Sequence, residues 1–277
     1  MGRALGGIVL GLAVLGLAAC SSMNGAVGDG GPSRYNPAVL NTPNAVPKAE
    51  PKSRYGNPST YVVNGRRYHV LQTSRGFQER GIASWYGTKF DGQRTSSGEP
   101  YNMYAMTAAH KELPIPSYVK VTNLANGRSV VVRVNDRGPF VKNRIIDLSY
   151  AAAAKLRMLK NGTAPVEVKA ITPADHAVSD STATGPAKMA PVAGGAIRYF
   201  VQVGAFAERS NAYRLSRHLR AMGGLAPVSV DPAHVDGRPL YRVRLGPLET
   251  VSGVDALTST LQEAGIDDTH VVLVQAK

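Results

Sequence analysis

The amino-acid sequence predicts two β-rich domains, a small β-barrel followed by a βαββαβ domain, in a chain of 277 residues. Both regions contain short runs of β-branched and aromatic residues separated by Gly, Asn and Pro, which is typical of strands joined by turns. Two other stretches, residues 21–52 and 173–196, are rich in Ala, Ser, Pro and Gly and have no apolar periodicity. Such stretches cannot bury a core, so we expect flexible linkers before and between the two domains.

Residues 1–20 have the pattern of a signal peptide. Arg3 precedes an apolar stretch over residues 4–19, which is shorter than the roughly 20 residues of a membrane-spanning helix. Leu17-Ala18-Ala19-Cys20 resembles a bacterial lipobox, which implies lipidation of Cys20; Ser21 then favours the outer membrane. The alternative is an ordinary secretory signal. Cys20 is the only cysteine, so the chain forms no internal disulfide.

The chain is strongly basic, with 32 Lys and Arg against 19 Asp and Glu and a net charge of +13. This charge alone would suggest a polyanionic partner such as nucleic acid. A lipoprotein exported from the cytoplasm has no access to the chromosome. We therefore expect that the protein does not bind nucleic acid and that its positive charge serves a different acidic partner.

Residues 21–77 are predicted to form a tether with one hairpin near residues 61–70, because Asn64-Gly65 separates two β-rich runs. The first domain is predicted over residues 78–172. Its strands are expected at 82–86, 118–122, 129–134 and 166–171, and its helix at 149–159, with Ser149 as N-cap. Short strands with few helices favour a small β-barrel.

The second domain is predicted over residues 197–277. Helix 208–222 has apolar residues at intervals of three and four, and Gly223-Gly224 ends it. A second helix is expected at 254–264. The strands are expected at 199–206, 228–230, 241–245 and 270–274, which completes the βαββαβ order.

Four segments of the first domain resemble the RlpA family of lytic transglycosylases. They read GIASWYG (81–87), TSSGE (95–99), TAAH (107–110) and NDRGPF (135–140). Ser96 stands where the family usually has Ala. The resemblance implies a six-stranded double-psi β-barrel that cleaves peptidoglycan glycan without water, because the muramic acid C6 hydroxyl attacks its own anomeric carbon.

The resemblance also assigns catalytic residues. Glu99 would be the acid/base and Asp136 a second carboxylate; we expect Glu99 protonated and Asp136 ionised beside Arg137. His110 would orient a carboxylate or bind substrate. From the residues alone, Glu99 is equally an exposed loop glutamate, Asp136 a turn former after its strand, and His110 a structural histidine.

Further residues are expected to bind substrate. Tyr86 and Trp85 would form a stacking platform for sugar, with burial in the barrel as the alternative for Trp85, and Arg137 would be a polar contact. Asp147, just before the predicted helix, is interpreted as structural. The sequence has no HExxH motif, no cysteine pair and no close His pair, so we predict neither a metal site nor a cofactor.

Residues 199–206 and 241–248 resemble the signature strands of SPOR domains, which bind peptidoglycan glycan stripped of its peptides. Strand alternation predicts Val201, Val203 and Ala205 on the helix side, together with Tyr241, Val243 and Leu245. The open face would then carry the substrate-binding set Phe200, Gln202, Phe206, Arg242 and Arg244, beside Gly204. Two arginines suit the lactyl carboxylates that peptide removal exposes. RNA binding is the alternative, but the lipobox and the absence of an RNP1 pattern oppose it.

These patterns lead to one functional hypothesis. The protein is an outer-membrane lipoprotein of the periplasm, enriched at the division septum, whose barrel is an endolytic-type transglycosylase for peptide-stripped glycan. It would cut the MurNAc-GlcNAc β-1,4 bond and leave 1,6-anhydro-MurNAc ends. The alternative is a non-catalytic septal peptidoglycan-binding lipoprotein, and proteins of the division machinery stay open as partners.

Overall fold

The computed structural model describes residues 30–175 and 196–275. The signal peptide with Cys20 and most of the second linker lie outside the described residues. A hairpin precedes the barrel, as predicted: β1 (Thr60–Val63) pairs antiparallel with β2 (Arg66–His69). Asn64 and Gly65 form its turn with φ of 50° and 74°, the backbone that an Asn-Gly hairpin turn requires.

Six strands close into a barrel, which confirms the predicted fold class for the first domain. They are β3 (Gln78–Tyr86), β4 (Thr107–His110), β5 (Ser117–Asn123), β6 (Ser129–Asp136), β7 (Arg144–Ser149) and β8 (Ala164–Ala170), in the spatial order β3-β7-β4-β6-β5-β8. The β3–β7 and β4–β6 pairs are parallel, and the other pairs are antiparallel.

The barrel interior is filled by β-branched and aliphatic side chains. Val119, Val121, Val132, Ile146 and Leu148 are fully buried there. Helix α1 (Tyr150–Lys155) then packs four buried alanines against the barrel. The Ser149 hydroxyl accepts from the amide of Ala152 at 3.2 Å, so the predicted N-cap is confirmed. The helix is shorter than predicted because Arg157 has φ of 55°, outside the right-handed helical range, and a 3₁₀ turn, Leu159–Asn161, then follows.

The segment before the hairpin is packed against the barrel, so the prediction of a flexible tether is wrong for residues 30–58. Val39 is only 4% exposed and belongs to the barrel core. The amide of Ala45 donates to the carbonyl of Val131 at 3.0 Å, and the amide of Ser53 donates to that of Ile115 at 2.8 Å. The segment is held by backbone hydrogen bonds, which leave no periodic apolar pattern in the sequence.

The second domain has the predicted βαββαβ order. Its elements are β9 (Ile197–Phe206), α2 (Arg209–Ala221), β10 (Val228–Val235), β11 (Arg238–Leu248), α3 (Val251–Glu263) and β12 (His270–Gln275). The sheet is antiparallel, in the order β10-β11-β9-β12. Val201, Val203, Val243 and Leu245 are buried with apolar residues of both helices, so the inward positions of these residues are confirmed.

A β-bulge in β9 overturns part of the predicted alternation. Val243 pairs with Gly204 and Arg244 with Gln202, so Val203 is an extra residue in β9. Beyond the bulge the two faces exchange: Phe206 packs against the core and Ala205 is exposed. The prediction that Phe206 and Gly204 face the open side is therefore wrong, as is the inward position of Ala205.

The two domains meet at the end of the barrel where β7 begins. Arg144 donates to both oxygens of Asp255 in α3, at 3.0 and 2.6 Å. Ile82 of β3 is 0% exposed and joins the core cluster of the second domain. No helix within the described residues is long and apolar enough to cross a membrane.

Candidate active site

An open groove of about 630 Å³ lies at the end of the barrel where β6 stops. Aromatic and apolar side chains form most of its wall, including Trp85, Phe90, Pro139 and Phe140. Asp136, Asp147 and Arg144 add charged groups. Apolar walls with a few convergent polar groups are typical of ligand-binding sites, and aromatic rings suit the faces of sugars.

Asp136 is the last residue of β6 and lines this groove. Its Oδ1 atom accepts three hydrogen bonds: from the Ser96 amide at 2.7 Å, the Ser96 hydroxyl at 2.6 Å and the Arg137 amide at 2.7 Å. Within residues 30–175 and 196–275, no hydrogen bond reaches its Oδ2 atom. The carboxylate is thus held through one oxygen, and the other remains for a ligand.

Asp147 is a groove residue that the sequence reasoning interpreted as structural. Ala109 of β4 pairs with Asp136 on one side and with Asp147 of β7 on the other. The two aspartates therefore lie at the same height along the barrel, on either side of β4. Their backbones are separated by two strand spacings of about 4.8 Å each. The parallel β4–β6 pairing that places them there carries no local sequence signal.

Glu99 is not among the residues that line the groove. Both of its carboxylate oxygens accept from Nη1 of Arg133, at 3.0 and 2.9 Å, and Oε2 also accepts from Asn135 at 3.1 Å. A β-bulge at Asn135 interrupts the alternation of β6 between these residues and Asp136, so strand faces do not separate Glu99 from Asp136. The structure brings both onto the end of β6 but not into one pocket.

The Arg133 guanidinium therefore lies beside Glu99, whereas the sequence reasoning placed a cation beside Asp136. Burial lowers the pKa of Arg133, but hydrogen bonds to Glu50 and Glu99 outweigh burial and raise it overall. Arg133 is thus a permanent cation next to Glu99. Arg137 hydrogen-bonds Asp136 through its backbone amide. Burial lowers the pKa of the Arg137 side chain, and the nearby charge of Asp136 has the smaller, opposite effect of raising it.

His110 is 2% exposed; it follows the groove residue Ala109 in β4 but lines a separate pocket with Glu79 and Lys111. Its Nδ1 atom accepts from the amides of Glu112 and Leu113 at 3.1 and 3.0 Å. The proton of the neutral ring is then on Nε2, which lies 3.7 Å from Glu79 and has no hydrogen-bond partner in the described part of the chain. The side chain organises the turn after β4.

Arg137 also lines the groove, but its guanidinium donates mainly to backbone carbonyls. It donates to the carbonyls of Gly56, His110, Lys111 and Leu113 at 2.8, 3.0, 3.5 and 2.5 Å, and to Oδ1 of Asn57 at 3.2 Å. Burial lowers the pKa of this side chain. These contacts join three separate segments beneath the groove.

Tyr86 lines the groove but is only 6% exposed. Its ring stacks on Tyr101 with centroids 4.1 Å apart. Burial raises its pKa well above the usual value, and the nearby Tyr101, Asp136 and Asp147 raise it further. Trp85 is more exposed and offers more ring surface to a ligand; the centroid of its ring lies 5.8 Å from that of Tyr150.

The open face of the second domain carries most of the predicted binding set. Arg244 donates to Gln202 at 3.3 Å and to Asp231 at 3.2 Å. Arg242 pairs with Asp231 and Ala205 in the neighbouring strands. Phe200 alternates with the buried Tyr199 and Val201 and so lies on the same face. These residues form a polar strip with one aromatic ring.

No group of three or more His, Cys, Asp or Glu side chains is placed to hold a metal ion in residues 30–175 and 196–275.

Comparison with known proteins covers both domains. The family model described as lytic transglycolase matches residues 78–168, and that of the SPOR domain matches residues 195–271. A Vibrio cholerae protein named endolytic peptidoglycan transglycosylase RlpA is 40% identical over 268 residues, covering 96% of each chain. A protein of the same name from Pseudomonas aeruginosa strain UCBPP-PA14 is 35% identical over an alignment of 325 residues, covering 95% of this chain and 94% of its own. One from Neisseria meningitidis strain MC58 is 56% identical over 133 residues, 48% of this chain and 55% of its own.

Proposed function

This chain belongs to the RlpA family of lytic transglycosylases, and on that premise we propose that it cuts peptide-stripped peptidoglycan glycan at the MurNAc-GlcNAc β-1,4 bond. The observation that carries the proposal is Asp136, a carboxylate held by three donors at 2.6–2.7 Å on the wall of an aromatic groove. Because three donors fix Oδ1, the orientation of Oδ2 toward a bound glycan is set before binding.

In this proposal Asp136 starts the reaction protonated, unlike the ionised form expected from the sequence; it is first the general acid, and the resulting carboxylate is then the general base. Its Oδ2 atom gives a proton to the glycosidic oxygen as the bond from that oxygen to the muramic acid C1 breaks. The C6 hydroxyl oxygen of the same sugar then bonds to C1, and its proton returns to Asp136. The products are a free GlcNAc 4-hydroxyl and a 1,6-anhydro-MurNAc end, and the carboxyl group is regenerated.

Other groups assist this step. Positive charge develops on the sugar ring in the transition state, and Asp147 on the same wall supplies opposite charge. Trp85 and Phe140 bind sugar faces and displace water from the groove. Exclusion of water favours the internal hydroxyl over hydrolysis.

We assign Glu99 a positioning role, which differs from the acid/base role inferred from the sequence. Its two oxygens bind Arg133 and Asn135, and its backbone closes the loop that contains Ser96, the donor to Asp136. His110 acts in the same way through Arg137, whose guanidinium binds the His110 carbonyl at 3.0 Å.

The open face of the second domain supplies the preference for stripped glycan. Peptide removal exposes the lactyl carboxylate of muramic acid, which suits bidentate hydrogen bonds from Arg242 and Arg244. Phe200 adds a stacking surface. Such glycan collects at the division septum, so this face also localises the enzyme there, while a lipid on Cys20 holds it to the outer membrane.

The test uses residues 21–277 with intact sacculi and with sacculi whose peptides an amidase has removed. Products are identified by mass spectrometry. We expect anhydro-MurNAc ends from stripped sacculi, at least a hundredfold fewer with Asp136→Asn, and no change with the control Asp236→Asn in an exposed turn. The double variant Arg242→Ala/Arg244→Ala should bind stripped sacculi about as weakly as intact ones. Binding without cleavage by the unchanged protein would favour a wall-binding role instead.

A further inference from the structure

We propose that residues 50–57, here called the strap, are a positioning part of the active site, and that Glu50 is the key residue. The proposal rests on the function assigned above to the groove. The strap lies outside the matched barrel domain of residues 78–168, and the sequence alone suggested a linker.

The first observation is that Glu50 and Glu99 share one guanidinium. Arg133 donates to Glu50 through Nε at 3.1 Å and Nη2 at 2.9 Å, and to Glu99 through Nη1. A bidentate contact fixes the plane of a guanidinium. Glu50 therefore determines where Nη1 points, and Nη1 holds both oxygens of Glu99.

The second observation is that Glu50 is itself fixed. The hydroxyl of Tyr118 in β5 donates to its Oε1 atom. Hydrogen bonds from Arg133 lower the pKa of Glu50 against the opposing effect of burial, and Tyr118 lowers it further. Glu50 is thus an ionised group with partners on two barrel strands, which is unusual for a surface residue of a linker.

The third observation is direct contact between the strap and the 95–99 loop. The Ser53 hydroxyl donates to the Ser97 carbonyl at 3.2 Å. Gly56 has φ +82°, and a Cβ atom there would lie 2.8 Å from the carbonyl oxygen of Ser96. Only glycine permits both the left-handed backbone and this close approach. Ser96 is the residue that donates twice to Asp136.

The strap also anchors itself independently of the loop. Asn57 accepts from the Ile115 amide at 2.8 Å and donates to the Ile115 carbonyl at 2.7 Å. The strap is therefore fixed at the start of β5 and at Arg133, and it supports the 95–99 loop between these points. Loss of the strap should loosen both Glu99 and the donors to Asp136 without removing any group that touches the substrate.

The experiment uses residues 21–277 carrying Glu50→Gln, Glu50→Ala or Gly56→Ala. The control is Glu167→Gln, which breaks an exposed ion pair with Arg80 (2.7 Å) on the barrel surface. We expect kcat on stripped glycan to fall about tenfold for Glu50→Gln and further for Glu50→Ala, with KM within twofold. Partial retention by Gln follows because its carbonyl keeps one acceptor for Arg133. The control should keep wild-type kcat.

Hydrogen exchange supplies a readout that needs no catalysis. Amides of residues 96–99 should exchange at least tenfold faster in Glu50→Ala and Gly56→Ala, while those of β5 and β8 stay protected. Unchanged exchange in the loop overturns the strap proposal, whatever the activity. If the wild type makes no anhydro product but the loop exchange rises as expected, the catalytic proposal fails and the strap proposal stands. Faster exchange throughout the barrel would mean general destabilisation and would also overturn it.

Discussion

Substitution of Arg137 can distinguish a structural role from a role in substrate binding. The hydrogen bonds of its guanidinium give the loss of stability that a structural role predicts. The guanidinium donates to four carbonyls at 2.5–3.5 Å and to Asn57 at 3.2 Å. In Arg137→Lys a single ammonium group replaces a planar fork and loses at least two of these contacts. Each hydrogen bond to a charged group contributes about 1.5–3 kcal/mol, so we expect a loss of about 3 kcal/mol or more.

That loss can be measured by thermal unfolding followed by circular dichroism. For a protein of this size about 1 kcal/mol shifts Tm by roughly 2–4 °C, so Arg137→Lys should lower Tm by about 6–12 °C. The matched control Arg80→Lys changes an arginine that is exposed beside Glu167 and should shift Tm by less than about 2 °C. An unchanged Tm together with a raised KM for glycan would refute the structural role and restore the sequence-based one.

Three further predictions concern packing, capping and pH. Phe206→Ala should lower Tm, because Phe206 packs against the core of the second domain and the loss of such a side chain costs about 3 kcal/mol of stability. Phe200→Ala should instead mainly weaken binding to stripped sacculi in a pull-down. Ser149→Ala removes the N-cap of α1 and should cost about 0.5–2 kcal/mol in urea unfolding. Burial, followed by the contact with Glu50, raises the pKa of Tyr118 to about 12. Its stabilising effect is present below its unfolded pKa of about 10 and is lost as pH rises through 12, so Tyr118→Phe should flatten stability measured over that range.

Local patterns were sufficient for most of the fold. Asn-Gly turns, β-branched runs and amphipathic spacing indicated the hairpin, the long strands and both helices of the second domain. The short strands β4 (Thr107–His110) and β7 (Arg144–Ser149) were missed, since they form through pairing with distant strands and alternate too briefly to be recognised. The bulge at Val203 was also invisible, because the extra residue is defined only by the partner strand.

The candidate site was predictable in its residues but not in its arrangement. Motifs singled out Glu99, His110 and Asp136, yet only Asp136 lines the groove. Glu99 binds Arg133 and Asn135 instead, and Glu50 has no recognisable motif in its linker-like surroundings. The positions of these side chains depend on contacts between segments that are distant in the chain, and no local sequence pattern encodes such contacts.

The central claim is that the groove cleaves glycan by attack of the sugar's own hydroxyl. Digestion of stripped sacculi by residues 21–277 in ¹⁸O-labelled water, with mass spectrometry of the fragments, tests it most directly. We expect 1,6-anhydro-MurNAc ends that contain no ¹⁸O and that disappear with Asp136→Asn. Reducing MurNAc ends carrying one ¹⁸O would show that water is the nucleophile and would contradict it.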